Sequence, residues 1–225
     1  MSGARTVVAV TGLGFEARIA AGQGVRTIAG GGDRRRLTAA LERELAQGAV
    51  GFLSFGIAGG LAARATPGSL LVADAVVAQG SRWPVDAAWA ASLAGSVPGA
   101  VREPIAGVDA VMASPAEKIA LGLATGAYAV DMESHVVAAF AAAHLVPFAV
   151  FRVVADPATQ ALAPATVVGM RADGTINQRA VVGSLLRAPW QLPLLLRNAL
   201  AARAAMRALL RGRRLLGPRI GYPDL

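Results

Sequence analysis

Cysteine is absent from the 225 residues, and histidine is nearly so, with only His135 and His144. That excludes disulfides and thiolate metal sites, and it leaves too few imidazoles for an ordinary zinc centre. Both histidines fall in an alanine- and valine-rich helical context that supplies no partner, so they read as core or helix-surface residues rather than catalysts. The N-terminus lacks the long apolar segment and small-residue cleavage site of a signal peptide, and a cytoplasmic location is expected. Charge is missing altogether from Leu45 to Ala63, a stretch that a hydropathy profile would offer as a membrane span with a Gly56-xxx-Gly60 packing motif. Five glycines inside it (48, 51, 56, 59, 60) point instead to a buried strand, Val50 to Phe55, running into a glycine turn. Acidic residues almost vanish from 171–225, which hold ten arginines against two aspartates, while 1–170 balance twelve basic with twelve acidic side chains. The formal charge of +8 therefore belongs to the C-terminal segment and not to a nucleic-acid-binding face. Lysine occurs once among 22 basic residues, a bias that carries no functional reading by itself.

What remains is a chain that is 55% hydrophobic and long enough for one substantial core. Thr6 to Thr11 is a β-branched strand ending in Gly12-Leu13-Gly14-Phe15-Glu16-Ala17-Arg18, a glycine turn that opens a helix. As G-x-G-x-x-A this turn matches the dinucleotide fingerprint, with Asp33 placed as the ribose acid. As G-x-x-x-Arg it resembles the phosphate loop of the phosphorylases, in which backbone N–H groups at a helix start and one arginine, here Arg18, hold the anion. Asp33 is also the expected N-cap of a helix from Arg34 to Gln47, with Leu37, Leu41 and Leu45 at four-residue steps. Leu70 to Val77 reads as a strand broken by Asp74. Residues 78–103 show no clear period. Ser114-Pro115-Ala116-Glu117 is a capping box with proline at the first helical position.

Two carboxylates stand out. Glu133 follows a short strand ending near Val130 and opens a helix to Leu145, and Asp156 closes the strand Phe148 to Val154. Ligands of open α/β sheets bind beyond the carboxyl ends of parallel strands, so the two residues are expected to face one crevice despite their separation in sequence. Taken one at a time, Glu133 could simply complement a helix N-terminus and Asp156 could form a turn before Pro157.

The segment Asp131-Met132-Glu133-Ser134, the step to Asp156 at the end of a valine-rich strand, and Gly56-Ile57-Ala58-Gly59-Gly60 together resemble the nucleoside phosphorylase and nucleosidase superfamily. Within it the chain is similar to the hopanoid-associated phosphorylases, over about Val7 to Pro157. The resemblance implies an α/β fold with a central mixed β-sheet flanked by helices. It implies cleavage of the N-glycosidic bond of a 5′-modified adenine nucleoside such as adenosylhopane, with release of adenine. Glu133 is then the ligand of the ribose hydroxyls, Met132 packs on the sugar, and Asp156 protonates the base, which requires burial to raise its pKa. Gly56, Ile57, Ala58 and Gly59 would lie beside the ribose and the nucleophile, with Ser54 offering the hydroxyl that Ile57 and Ala58 lack. The serine usual before the acid is Ala155 in this chain. Inorganic phosphate held by Gly14 and Arg18 is the favoured nucleophile, with no other cofactor and no metal. Water activated by Glu16 is the hydrolytic alternative, and an NAD-dependent oxidoreductase or a non-catalytic nucleotide-binding protein the alternative from another class. Arg152, inside a strand, needs an anionic partner if buried.

Residues 1–188 are expected as the catalytic domain and 189–225 as a basic helical extension. On a helix from Leu194 to Leu216, Arg197, Arg203, Arg207, Arg211 and Arg214 share an arc of about 120°, opposite Leu194, Leu195, Ala202, Ala205, Met206, Leu209 and Leu216. Such a helix either packs its apolar face on the sheet or lies on an anionic membrane beside a lipid-borne nucleoside. A homo-oligomer stays open.

Overall fold

The computed structural model describes residues 6–169, 175 and 177–223. Met1 to Arg5, on which the reading of a leaderless N-terminus rests, lie outside them. The β-branched run forms β1 (Thr6–Thr11), and α1 (Gly14–Ala20) and β2 (Val25–Ala29) follow. Asp33 caps α2 (Arg34–Ala46) by accepting from the Arg36 amide at 3.0 Å, and Leu37 and Leu41 are buried beneath it. Arg34 to Arg36 are exposed, a solvated face.

Strand β3 (Ala49–Gly60) runs straight through the glycines that the sequence places in a turn. The reason is pairing on both sides. Phe52 to Gly59 lie parallel to β9 (Phe148–Asp156), and Gly59 and Gly60 pair antiparallel with β8 (Ala129–Asp131), so backbone groups that a loop would leave free are bonded within the sheet. The expected break at Asp74 separates β4 (Leu70–Val72) from β5 (Ala75–Ala78). The stretch without a clear period contains β6 (Ser81–Pro84) and α3 (Ala87–Ser96), whose Trp89 is fully buried. Beyond β7 (Ile105–Gly107), the Ser114 capping box opens α4 (Pro115–Thr125), and α5 (Ser134–His144) fills the span between β8 and β9.

The nine strands among the described residues form one mixed sheet in the order β2-β1-β3-β8-β7-β5-β6, with β9 paired to β3 and β4. Parallel pairing of β1, β3 and β9 sends their carboxyl ends to one edge, and β8, crossing the end of β3, brings Asp131 and Glu133 there as well.

After β9 come α6 (Pro164–Gly169), α7 (Gln178–Arg187) and the long α8 (Leu192–Leu215). Ala205, Ala208, Leu209 and Gly212 of α8 are buried against the sheet. A Cβ at Gly212 would stand 2.5 Å from the Phe151 ring on β9, so the helix backbone needs glycine at this crossing. The chain then returns to the core. The Ile220 carbonyl accepts from the Trp89 indole at 3.1 Å, and the Tyr222 hydroxyl donates to the Val50 carbonyl at 3.1 Å. Residues beyond 188 are thus built onto the same sheet as the rest. None of the helices among the described residues is long and apolar enough to cross a membrane.

Candidate active site

Glu16 sits on the third residue of α1 and joins two backbone segments. Its carboxylate accepts from the amides of Gly12 (2.9 Å) and Leu13 (2.8 Å) on one side and of Ile57 (2.8 Å) on the other. Gly56, at φ +149°, leaves the space: a Cβ there would lie 2.5 Å from Glu16 Oε1 and 2.9 Å from Arg152 Nη1. Burial raises the Glu16 pKa, with the Arg152 charge and the three amides pulling the other way.

Arg152, fully buried in β9, is the hub. Its Nε lies 2.7 Å from Asp131 Oδ2, its Nη2 donates to Glu133 Oε2 (3.2 Å) and Ser54 Oγ (2.7 Å), and its Nη1 donates to the Ile57 carbonyl (3.2 Å). Ser134 gives its hydroxyl proton to Asp131, so Ser54, 2.8 Å away, donates to Ser134. The Ser134 amide donates to the same aspartate at 3.0 Å. Burial opposes the guanidinium charge, but Asp131, Glu133 and Glu16 outweigh it and the Arg152 pKa rises. One cation does not neutralise three carboxylates. Burial pushes Glu133 up to about 7 against the pull of Arg152, with Asp131 and Glu16 adding to the rise.

At the end of β9, Asp156 meets a residue that no motif announces. Lys118, buried on α4, donates to Asp156 Oδ2, to the Gln160 carbonyl (2.8 Å) and, more distantly, to the Pro157 carbonyl (3.4 Å). Its three protons thus have three acceptors. Burial raises the Asp156 pKa, and Lys118 draws it down.

These groups floor a cavity of about 760 Å³. Glu16, Glu133, Arg152, Asp156, Met132, Ile57, Ala58 and Gly59 all line it. Its far wall is apolar: Val167 of α6, Val181 of α7, and Leu195, Ala199, Ala202 and Met206 of α8, with Val108, Val111 and Met112 from the loop after β7. The expected crevice is present and holds both motif carboxylates.

Four predicted residues are not in the lining. Ser54 and Gly56 sit beneath the floor, the one bonded to Arg152 and the other clearing space for Glu16. Gly14 begins α1 outside the cavity. Arg18 is exposed and away from it, which corrects the phosphate-loop assignment. Two residues along a helix turn the side chain through about 200°, so Glu16 and Arg18 point to opposite sides of α1. The dinucleotide reading loses its support as well. Asp33 is exposed and occupied as a cap, and the Gly12 and Leu13 amides that would meet a pyrophosphate are taken by Glu16. His135 is buried beside Asp109, at 3.0 Å, and His144 is exposed; neither lines the cavity.

Comparison with known proteins agrees with this architecture. The model of the phosphorylase superfamily matches residues 3–187. Among solved structures, the Helicobacter pylori 5′-methylthioadenosine/S-adenosylhomocysteine nucleosidase in complex with a substituted pyrrolidinol superposes with a TM-score of 0.62 at 18% identity, covering 83% of this chain and 98% of that one. The corresponding Streptococcus pneumoniae nucleosidase, with a transition-state inhibitor, gives 0.62 at 15% identity, covering 94% and 99%. A futalosine hydrolase mutant from Helicobacter pylori gives 0.58 at 19% identity, covering 67% and 89%. No curated protein matches in sequence.

Proposed function

The chain belongs to the phosphorylase superfamily, and from that premise we propose that it cleaves the N-glycosidic bond of an adenine nucleoside bearing a large apolar 5′ substituent. The observation that carries the proposal is a single cavity with a carboxylate floor and an apolar far wall. Its roughly 760 Å³ is generous within the range of about 300–1,000 Å³ of small-molecule sites, and leaves room beyond a sugar and a base. Adenosylhopane, to which the motif resemblance points, fits this description, and hopanoid biosynthesis would be its setting. The solved structures it resembles are named as nucleosidases of 5′-methylthioadenosine and S-adenosylhomocysteine and as a futalosine hydrolase, which supports the reaction class.

In this reading the C1′–N9 bond breaks with its electron pair going to the base. Asp156, whose pKa burial raises against the pull of Lys118, delivers a proton to the departing purine. Glu133, held by Arg152, accepts from the ribose hydroxyls and favours the cationic sugar, and Met132 covers its face. Glu16 then accepts a proton from the water whose oxygen bonds to C1′. Burial raises its pKa and so makes it the better proton acceptor.

Water is favoured over phosphate because Arg152, the one cation in the lining among the described residues, is already engaged by Asp131 and Glu133, Lys118 lies behind Asp156 and is bonded to it, and Arg18 stands outside. A phosphate dianion beside Glu16 and Glu133 would meet like charge. Phosphorolysis is the second reading. In its favour, burial promotes the uncharged forms of both glutamates, which would leave Arg152 able to attract an anion.

Adenine release from 5′-substituted adenosines, measured with and without phosphate, separates the two. Free ribosyl product without phosphate is expected, and Glu133→Gln and Asp156→Asn should each slow turnover by about a hundredfold or more in folded protein. Strict dependence on phosphate would establish phosphorolysis, and no release under either condition would overturn the proposal.

A further inference from the structure

The helices that wall the cavity are apolar on both sides. Val181 of α7 and Leu195 and Ala199 of α8 face the cavity. Their neighbours face solvent: Val182 and Leu196 are more than half exposed, Leu200 is 68% exposed, and Leu186 and Trp190 are 79% and 78%. A helix that packs one face on a core does not need a second apolar face toward water.

On α8 the outward arc changes character along its length. Leu192, Leu196 and Leu200 follow one another at four-residue steps, and Arg203, Arg207, Arg211 and Arg214 continue at steps of three or four, so all seven share an arc of about 100°. The same surface stripe is leucine in the first two turns, with the exposed Arg197 at its edge, and arginine thereafter. The first apolar part extends about 12 Å and the basic part about 17 Å, at about 1.5 Å per residue. Arg207 and Arg211 border a shallow depression with Thr66 and Ser69, a setting suited to a phosphodiester. Residues 174–223 contain no aspartate or glutamate.

We infer that the turn joining α7 to α8, with the outward leucines of α8, inserts into an anionic lipid bilayer while the arginines of the same stripe contact lipid headgroups. Trp190 at the tip has the amphipathic ring favoured at a membrane boundary. This differs from the in-plane helix that the sequence suggests, because the arc of Ala202, Ala205, Met206 and Leu209 is turned into the protein. A second copy of the chain is a poorer occupant. Interface cores are depleted of charge, and an antiparallel stacking of this stripe on itself would set arginines against leucines. The geometry does not depend on which nucleoside is cleaved. What it adds to the proposed function is that one pair of helices both walls the cavity and enters the lipid, so an apolar substituent would pass directly from bilayer to site.

Co-sedimentation of the full-length protein with phosphatidylglycerol-containing vesicles, and with phosphatidylcholine alone, tests this at low and high salt. Binding to the anionic vesicles that weakens with salt is expected. Trp190→Ser/Leu196→Ser/Leu200→Ser and Arg203→Gln/Arg207→Gln/Arg211→Gln should each reduce it by at least about tenfold. Both variants should retain adenine release from a water-soluble adenosine, so loss of binding and loss of chemistry are read separately. Wild-type protein that ignores anionic vesicles, or variants that bind as well as wild type, would defeat the inference. So would a dimer, seen by analytical ultracentrifugation, that the Trp190 variant dissolves.

Discussion

Lys118 acts on Asp156 from behind. It holds the carboxylate in place through Oδ2 while its other protons are anchored on the carbonyls of Gln160 and Pro157, and its charge works against the burial that raises the acid's pKa. An acid that must be protonated loses activity as pH rises through its pKa. Removing the ammonium leaves burial unopposed, so Lys118→Met should move the alkaline limb of the kcat/KM profile to higher pH, whereas Lys118→Arg should move it less. An unmoved limb would make Lys118 a structural residue only. Glu133 and Asp156 are legible in the sequence because each stands at a strand end, where topology collects ligands. Lys118 is not, since nothing in the spacing of α4 couples it to the far end of β9; its one signal is being the sole lysine in a chain that otherwise uses arginine. Arg18 misleads because closeness in sequence is not closeness in space across a helix turn.

At the level of elements, the contact between α8 and β9 decides whether the cavity has a wall. The helix approaches the strand at Gly212, where any side chain would enter the Phe151 ring. Gly212→Leu is therefore expected to cost about 1–3 kcal/mol by overpacking, measurable as a lower urea midpoint, and to widen or open the apolar end of the site. An unchanged midpoint would mean that the helix can slide without penalty. Most elements are readable from pattern and caps: the β-branched β1, the Asp33 and Ser114 caps, and the break at Asp74. Two are not, for physical reasons. The glycines of β3 look like a turn, yet pairing with β8 and β9 overrides their local preference. The amphipathicity of α8 is plain, but a helix with two apolar arcs does not reveal from sequence which one faces the core.

For the whole molecule, stability should fall as pH rises through the acidic range, opposite to the behaviour of proteins held by ion-paired carboxylates. Glu133 has its pKa raised by burial from 4.5 to about 7, so the folded state binds its proton more tightly than the unfolded chain does. The resulting stabilisation is full below pH 4.5 and lost by about pH 7, on the order of 3 kcal/mol from this group, with Glu16 and Asp156 acting in the same direction. Urea titrations at pH 5 and pH 8 should show the higher midpoint at pH 5, and Glu133→Gln should narrow the gap; equal midpoints in the wild type would contradict the buried, under-neutralised cluster. The scarcity of lysine has a practical corollary. Apart from the chain's α-amine, the sequence offers an acylating reagent one side-chain amine, and because Lys118 is buried with its protons bonded to Asp156, Gln160 and Pro157, the time course of covalent labelling at that position reports on the local opening that exposes the end of β9.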